Sequence, residues 1–209
     1  MATYNGTPGN DTYEGTASAD TINGVGGSDT LLGNGGGDVL DGGDASDILY
    51  SNVWSYGGAW DDGAEIDSLS GGAGNDQLFA GYGDHVDGGA DTDVLLLSLV
   101  GATSGVTADL TAAFAGGVST IGGGLLTGIE QYSVIYGSSH SDSITVGNAT
   151  ENNGPDANGL GVYAGDGNDT LTGGSATNHL YGGGGNDSLS GLGGGDELYG
   201  GLDQDTLNG

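Results

Sequence analysis

From Ala164 to Asn208 the chain repeats every nine residues, and no other feature restricts its fold as tightly. Read in nines, the stretch is AGDGNDTLT, GGSATNHLY, GGGGNDSLS, GLGGGDELY and GGLDQDTLN. The sixth place holds Asp169, Asn178, Asp187, Asp196 and Asp205; the eighth holds Leu171, Leu180, Leu189, Leu198 and Leu207; the first four are mostly glycine. Nine residues divide into a six-residue turn and a three-residue strand. Side chains alternate along a strand, so the middle residue points inward and its two neighbours outward. Glycine at places one, two and four supplies backbone angles that other residues adopt only at a cost. Two such units make one coil, so units n and n+2 stack on the same side with strands about 4.8 Å apart. The prediction is an all-β parallel solenoid.

Stacking decides the chemistry. Each sixth-place carboxylate lies over another, and two carboxylates about 4.8 Å apart repel by roughly 3.5 kcal/mol at an effective dielectric of 20. Burying one eighth-place leucine contributes about 1.5–3 kcal/mol, so the repulsion offsets the core before the cost of ordering glycine is counted. A hard dication reverses the sign. Ca2+ takes about six to eight oxygens, and this turn offers carboxylates and free carbonyls, so binding energy becomes folding energy. The pattern G-G-x-G-x-D-x-U-x, with U a large apolar residue, resembles the calcium-binding nonapeptide of the RTX (repeats-in-toxin, haemolysin-type) family. The resemblance implies a parallel β-roll holding several Ca2+, about eight from the number of same-side pairs. Each ion is expected between turns of one side: Asp187 with Asp169 and Asp205, Asp29 with Asp11 and Asp47. Carbonyls at places one, three and five are implied to complete the shell, as at Gly71, Ala73 and Asn75, at Gly182, Gly184 and Asn186, and at Gly191, Gly193 and Gly195.

The register also runs from Gly6 to Tyr50 as GTPGNDTYE, GTASADTIN, GVGGSDTLL, GNGGGDVLD and GGDASDILY, with Asp11, Asp20, Asp29, Asp38 and Asp47 in the sixth place. Met1 to Asn5 reads as a half-repeat strand, so residues 1–50 form a first block. Residues 51–61 leave the register and carry Trp54, Tyr56 and Trp60; packing over the roll, the usual use of aromatics, and binding of a sugar or a partner both stay open. Residues 62–96 form a second block: DGAEIDSLS, GGAGNDQLF, the octapeptide AGYGDHVD and GGADTDVLL. Asp67, Asp76, Asp84 and Asp93 hold its carboxylate place, Asp84 in a turn one residue short. Residues 97–136 are a non-repeat β spacer. Val106, Ala108 and Leu110, then Leu125, Leu126 and Ile129, predict wider strands, and the similarity to spacers between RTX blocks implies a parallel stack continued through a larger rung. Residues 137–163 hold a degenerate repeat with Asp142 and Ile144, then a polar loop containing ENNGPDANG; 164–209 is the third block. All fifteen eighth-place residues are apolar. His85 and His179 fall at the outward seventh place and His140 in a turn, and all three read as solvated.

The chain has 29 Asp and Glu and no Lys or Arg. Nothing basic is present to hold nucleic acid or anionic lipid, and metal ions are the strong counter-charge left. Periodic apolar residues argue against a disordered acidic chain, and a period of nine against collagen. There is no Cys, hence no disulfide, thiolate metal site or Cys nucleophile. With three His far apart in sequence, an enzyme is not expected, since every Asp pair that offers a glycosidase-like dyad already has a metal reading. Leu95 to Val100 is too short to span a membrane, and the first residues have neither a basic nor an apolar signal region. The resemblance implies a secreted or cell-surface protein exported by type I secretion with an uncleaved signal after the repeats. The repeats run to Gly209, so the sequence reads as an excised piece or as one exported otherwise. Open solenoid edges invite strand pairing, which adds a second expectation, calcium-dependent end-to-end self-association through 1–11 and 196–209.

Overall fold

The structure, a computed structural model, describes residues 1–52, 65–151 and 161–209. Trp54, Tyr56 and Trp60 and most of the ENNGPDANG loop lie outside the described residues. Apolar triplets form strands: Thr21–Asn23 buries Ile22, and Thr30–Leu32 buries Leu31, each between half-buried neighbours. Parallel partners are one coil apart, with Tyr4 beside Ile22 and Leu189 beside Leu207, so a coil is two nonapeptides, as the spacing predicts. Where the chain leaves register the column of core residues does not. Leu40 lies beside Leu69 across the excursion at 51–61, and Leu69 beside Val86 across the octapeptide. Several strands exceed the predicted three residues. Val39–Asp44, Ser68–Ala73 and His85–Ala90 continue through the first turn places, with Gly43 beside Gly72 and Gly72 beside Gly89. The turns pair because their glycines leave room: a Cβ on Gly72 would run into the Gly43 carbonyl.

The described strands make three sheets. A seven-stranded sheet runs Thr3–Asn5, Thr21–Asn23, Val39–Asp44, Ser68–Ala73, His85–Ala90, Gly124–Thr127, Val118–Ile121. A ten-stranded sheet passes from Thr12–Glu14 through Val94–Ser98, Gln131–Tyr136 and Gly161–Asp166 to Glu197–Leu202, and Thr150–Glu151 also pairs with Gln131–Tyr136. A five-stranded sheet runs Thr107–Asp109, Ser143–Thr145, Thr170–Gly174, Ser188–Leu192, Thr206–Asn208. The spacer therefore continues the parallel stack on one side, where Val94–Ser98 pairs with Gln131–Tyr136. On the other it departs from expectation. Val118–Ile121 and Gly124–Thr127 form an antiparallel hairpin, because Gly122 and Gly123, with φ 62° and 95°, supply the two-residue turn that antiparallel strands need. Leu125 sits on the hairpin's outer face and is 46% exposed, whereas Leu126 and Ile129 are buried.

Eighth-place residues fill the interior. Ile22, Leu31, Leu40, Leu49, Leu69, Leu78, Val86, Leu95, Ile144, Leu171, Leu180 and Leu189 are buried in one cluster. Burial fades toward the ends: Tyr13 and Leu198 are half-buried and Leu207 is exposed. A second, outward-facing cluster on the ten-stranded sheet holds Phe79, Val94, Leu96 and Val134 with Tyr136 and Tyr163 packed against it. It continues as a stack of rings, Tyr163 over Tyr181 and Tyr181 over Tyr199.

Candidate metal centre

The sixth-place aspartates line up in columns, and each reaches back one coil. Asp29 Oδ1 accepts the N–H of Asp11 at 2.7 Å, Asp47 that of Asp29 at 2.7 Å, Asp76 that of Asp47 at 2.8 Å and Asp93 that of Asp76 at 2.8 Å. A second column links Asp20 to Asp38, Asp38 to Asp67 and Asp67 to Asp84 in the same way. A third links Asp142 to Asp169, Asp169 to Asp187 and Asp187 to Asp205. The sequence predicts carboxylate over carboxylate. The structure interposes a peptide N–H, which the ladder of strand bonds leaves free and which binds a carboxylate by a charge-assisted hydrogen bond. Fifth-place side chains form an outer ladder in the opposite direction. Asn10 accepts the N–H of Ser28, Asn75 that of Thr92, Asn168 that of Asn186 and Asn186 that of Gln204. This ladder was missed at the sequence level, although the recurrence of Asn and Ser at place five is visible there.

The second carboxylate oxygen is where the turn is incomplete. Oδ2 of Asp29, Asp38, Asp47, Asp76, Asp93, Asp169 and Asp187 is buried with no hydrogen-bond partner, a costly state for a charged atom. Six of them face the first glycine of their own turn, and the turn of Asp169 has Ala164 in that place. A Cβ on Gly24 would collide with Asp29 Oδ2 and would lie 2.5 Å from the carbonyl oxygen of Gly42 in the next coil; Gly42, Gly71 and Gly182 repeat the arrangement with Asp47, Asp76 and Asp187. At these four glycines the approach of two oxygens, not the backbone angle, leaves no room for a side chain, whereas the turn of Asp169 accommodates Ala164. Positive φ occurs instead at places two and four, as at Gly43 and Ala45 or Gly183 and Gly185. An orphaned carboxylate oxygen converging with a carbonyl is a donor set suited to a hard cation. Among the described residues no three carboxylates or imidazoles converge, so backbone oxygens have to supply the balance of any shell. The places named for that purpose follow the coil. Gly71, Gly182 and Gly191 are buried, Gly184 and Gly193 half-buried, and Ala73, Asn75, Asn186 and Gly195 exposed.

Burial and crowding show in the carboxyl groups. Burial, reinforced by neighbouring carboxylates, pushes Asp38, Asp47 and Asp169 up to about 6 and Asp93 up to about 7, and raises Asp76 as well. Asp20 moves the other way, held down by the N–H groups of Ala2 and Thr16. Asp196 and Asp205, in the last coil, are half-buried and accept the N–H groups of Asn178 and Asp187 at 3.0 Å.

The columns are modified at three points. In the octapeptide turn Gly81 N–H donates to Asp84 Oδ2 at 2.7 Å. At the spacer Glu130 replaces an aspartate and accepts the Asp93 N–H at 2.9 Å. Opposite Asn178, a buried group takes the place of a carboxylate pair: Tyr132 donates to Glu151 at 2.9 Å, Asn178 Nδ2 to the Tyr132 hydroxyl at 3.2 Å, and His179 Nδ1 contacts Glu151 Oε2. His179, read as solvated, is half-buried by this contact. His85 and His140 are exposed as expected, and His85 Nδ1 accepts the Leu125 N–H at 3.2 Å.

The family model for the RTX calcium-binding nonapeptide repeat (4 copies) matches residues 5–40, 23–52, 61–95, 162–189 and 172–207. The chain belongs to the RTX calcium-binding repeat family. The match covers all three repeat blocks and leaves out the spacer. No curated protein matches the chain. The roll is thus a calcium-binding structural module, built from a repeat that is structural, not enzymatic. Calcium, when bound, supplies positive charge to the orphaned oxygens. No helix among the described residues is long and apolar enough to cross a membrane.

Proposed function

We propose that this RTX roll is a folding module of a secreted or cell-surface bacterial protein, unfolded where calcium is scarce and folded on meeting extracellular calcium, with no catalytic activity of its own. The observation that carries the reading is the set of seven buried carboxylate oxygens without a partner, in a chain that has no Lys or Arg to neutralise them. Sixth-place aspartates whose second oxygen has no hydrogen-bond donor are the side-chain ligands and place-one, -three and -five carbonyls the backbone ones, for about eight ions in all. Sites in the affinity range of extracellular modules, roughly 10⁻⁴ to 10⁻³ M, stay empty in the cytosol, which keeps the chain able to thread a type I export channel. Circular dichroism tests this directly. In EDTA at low salt the spectrum is expected to be disordered, and calcium in the millimolar range to restore the β signal; a folded spectrum in EDTA would refute it.

A second reading is calcium-dependent end-to-end association. It is favoured by the edge strands: Thr206–Asn208 pairs on one side only and leaves Leu207 49% exposed, near Leu202 at 72%. About eight ions offset roughly sixteen charges of the formal −29, so side-to-side contact stays repulsive while end contacts cover unpaired strands. Sedimentation in calcium that shows monomer alone at high protein concentration removes this reading and leaves the first intact.

A further inference from the structure

We infer that the turns ending at Asp11, Asp20, Asp142 and Asn178 take no calcium and are built-in, metal-free caps, one heading each column of calcium turns. The inference rests on the calcium reading above and concerns which turns that reading applies to. Apart from the octapeptide turn, where Gly81 N–H closes Asp84 Oδ2 and Gly83 has positive φ, the nonapeptide turns described in full fall into two conformations. In those ending at Asp29, Asp38, Asp47, Asp76, Asp93, Asp169, Asp187, Asp196 and Asp205, φ is positive at both place two and place four, even where the residue is Val25, Asn34, Ala45, Asp91, Leu192 or Asp203. All seven orphaned oxygens belong to this open class.

In the turns ending at Asp11, Asp20, Asp142 and Asn178 no residue has positive φ. There the place-two N–H turns inward to the oxygen that is orphaned elsewhere. Thr7 N–H donates to Asp11 Oδ2 at 2.6 Å, Thr16 to Asp20 Oδ2 at 2.7 Å, Ser138 to Asp142 Oδ2 at 2.6 Å and Gly174 to Asn178 Oδ1 at 2.9 Å. The hydroxyls of Thr7, Thr16 and Ser138 add bonds of 3.0, 2.8 and 3.0 Å to the same oxygens. An oxygen holding two donors has no need of a cation, and a hydroxyl and N–H are preformed where an ion has to be recruited. Asn178 shows the consequence within the chain. A neutral amide serves in a closed turn, because no ion there requires the charge.

Placement supplies the reason. Asp11 precedes Asp29, Asp20 precedes Asp38, Asp142 precedes Asp169 and Asn178 precedes Asp196 along their columns. Behind Asp20 and Asp142 stand not another aspartate turn but the N–H groups of Ala2 and Val106. A first turn has no like turn behind it, and solenoids need distinct terminal units. Thr7, Thr16 and Ser138 are thus positioning residues that replace the ion.

Calcium-45 equilibrium dialysis of the full chain at saturating calcium tests this with two sets of conservative variants. Asp29→Asn, Asp76→Asn and Asp187→Asn are expected each to lower the bound calcium by about one ion. Asp11→Asn, Asp20→Asn and Asp142→Asn are expected to leave it unchanged, since an amide oxygen can accept the same bonds. Loss of an ion from any of the second set overturns the inference, whereas wild-type protein that binds no calcium overturns the calcium reading itself. Anomalous scattering from calcium in crystals of the unaltered protein gives an answer independent of variant folding: peaks beside open turns alone support the assignment, and a peak beside Thr7–Asp11, Thr16–Asp20, Ser138–Asp142 or Asn178 overturns it.

Discussion

Replacing Gly24 with alanine puts a methyl group at the point where Asp29 Oδ2 and the Gly42 carbonyl converge. The added Cβ lies 2.5 Å from the carbonyl oxygen and closer still to the carboxylate, against about 3.5 Å for a relaxed contact. Neither oxygen is free to retreat. Asp29 is buried and its other oxygen is tied to Asp11 N–H at 2.7 Å, and the Gly42 turn continues a strand paired on both sides. Overpacking of this kind costs about 1–3 kcal/mol or more, and displacement of the ion that we assign to the turn adds to it. Gly26→Ala, two residues away, is the control. Its nearest neighbour would be Asp44 Cβ at 3.5 Å and its φ is not positive, so alanine fits and gains about 0.4–1 kcal/mol through the unfolded state. Urea unfolding followed by circular dichroism at saturating calcium, with bound calcium measured in parallel, separates the terms. Gly24→Ala is expected to lower the midpoint and remove about one ion, and Gly26→Ala to do neither. Wild-type stability in Gly24→Ala refutes the steric account of place one; lost stability with an unchanged ion count refutes the shared point as a ligand site.

Val25→Gly is expected to stabilise the folded roll by about 0.5–1 kcal/mol, because a β-branched residue at φ 81° carries a left-handed strain of roughly 1–2 kcal/mol that exceeds the entropy glycine adds to the unfolded chain; a lower urea midpoint contradicts it. Leu78→Ala, at the fully buried centre, should cost about 2–5 kcal/mol, and Leu207→Ala, 49% exposed at the edge, well under half of that, both measured by urea unfolding in calcium. Acid should partly replace calcium. Asp38, Asp47 and Asp169 at about 6 and Asp93 at about 7 bind protons more tightly folded than unfolded. Their stabilisation of the metal-free chain is complete below the unfolded carboxylate pKa of about 3.9 and is lost as pH rises through the folded values. In EDTA the β signal is expected to grow as pH falls from about 7.5 to about 4.5; a flat titration would show that the orphaned carboxylates are not what keeps the metal-free chain unfolded.

The period of nine by itself determined the coil, its two-unit pitch, the buried column and the identity of the aspartates, because each follows from strand alternation and from chain connectivity that any nonapeptide array shares. Local sequence also carried the fifth-place ladder and the Thr or Ser at place two, though their roles are invisible without neighbours. Three things were decided only in the tertiary structure. Whether an aspartate oxygen is orphaned or closed depends on the sign of φ at place two, and residue type does not fix that sign: Val25 and Leu192 take the left-handed angle while Gly174 does not. What faces each carboxylate is set by the rise of the coil, which brings a peptide N–H, not a second carboxylate, to Oδ1. The antiparallel hairpin at Val118–Thr127 and the Tyr132–Glu151–His179 group arise where the repeat lapses. There the chain has no period to follow, and long-range contacts alone choose the partners.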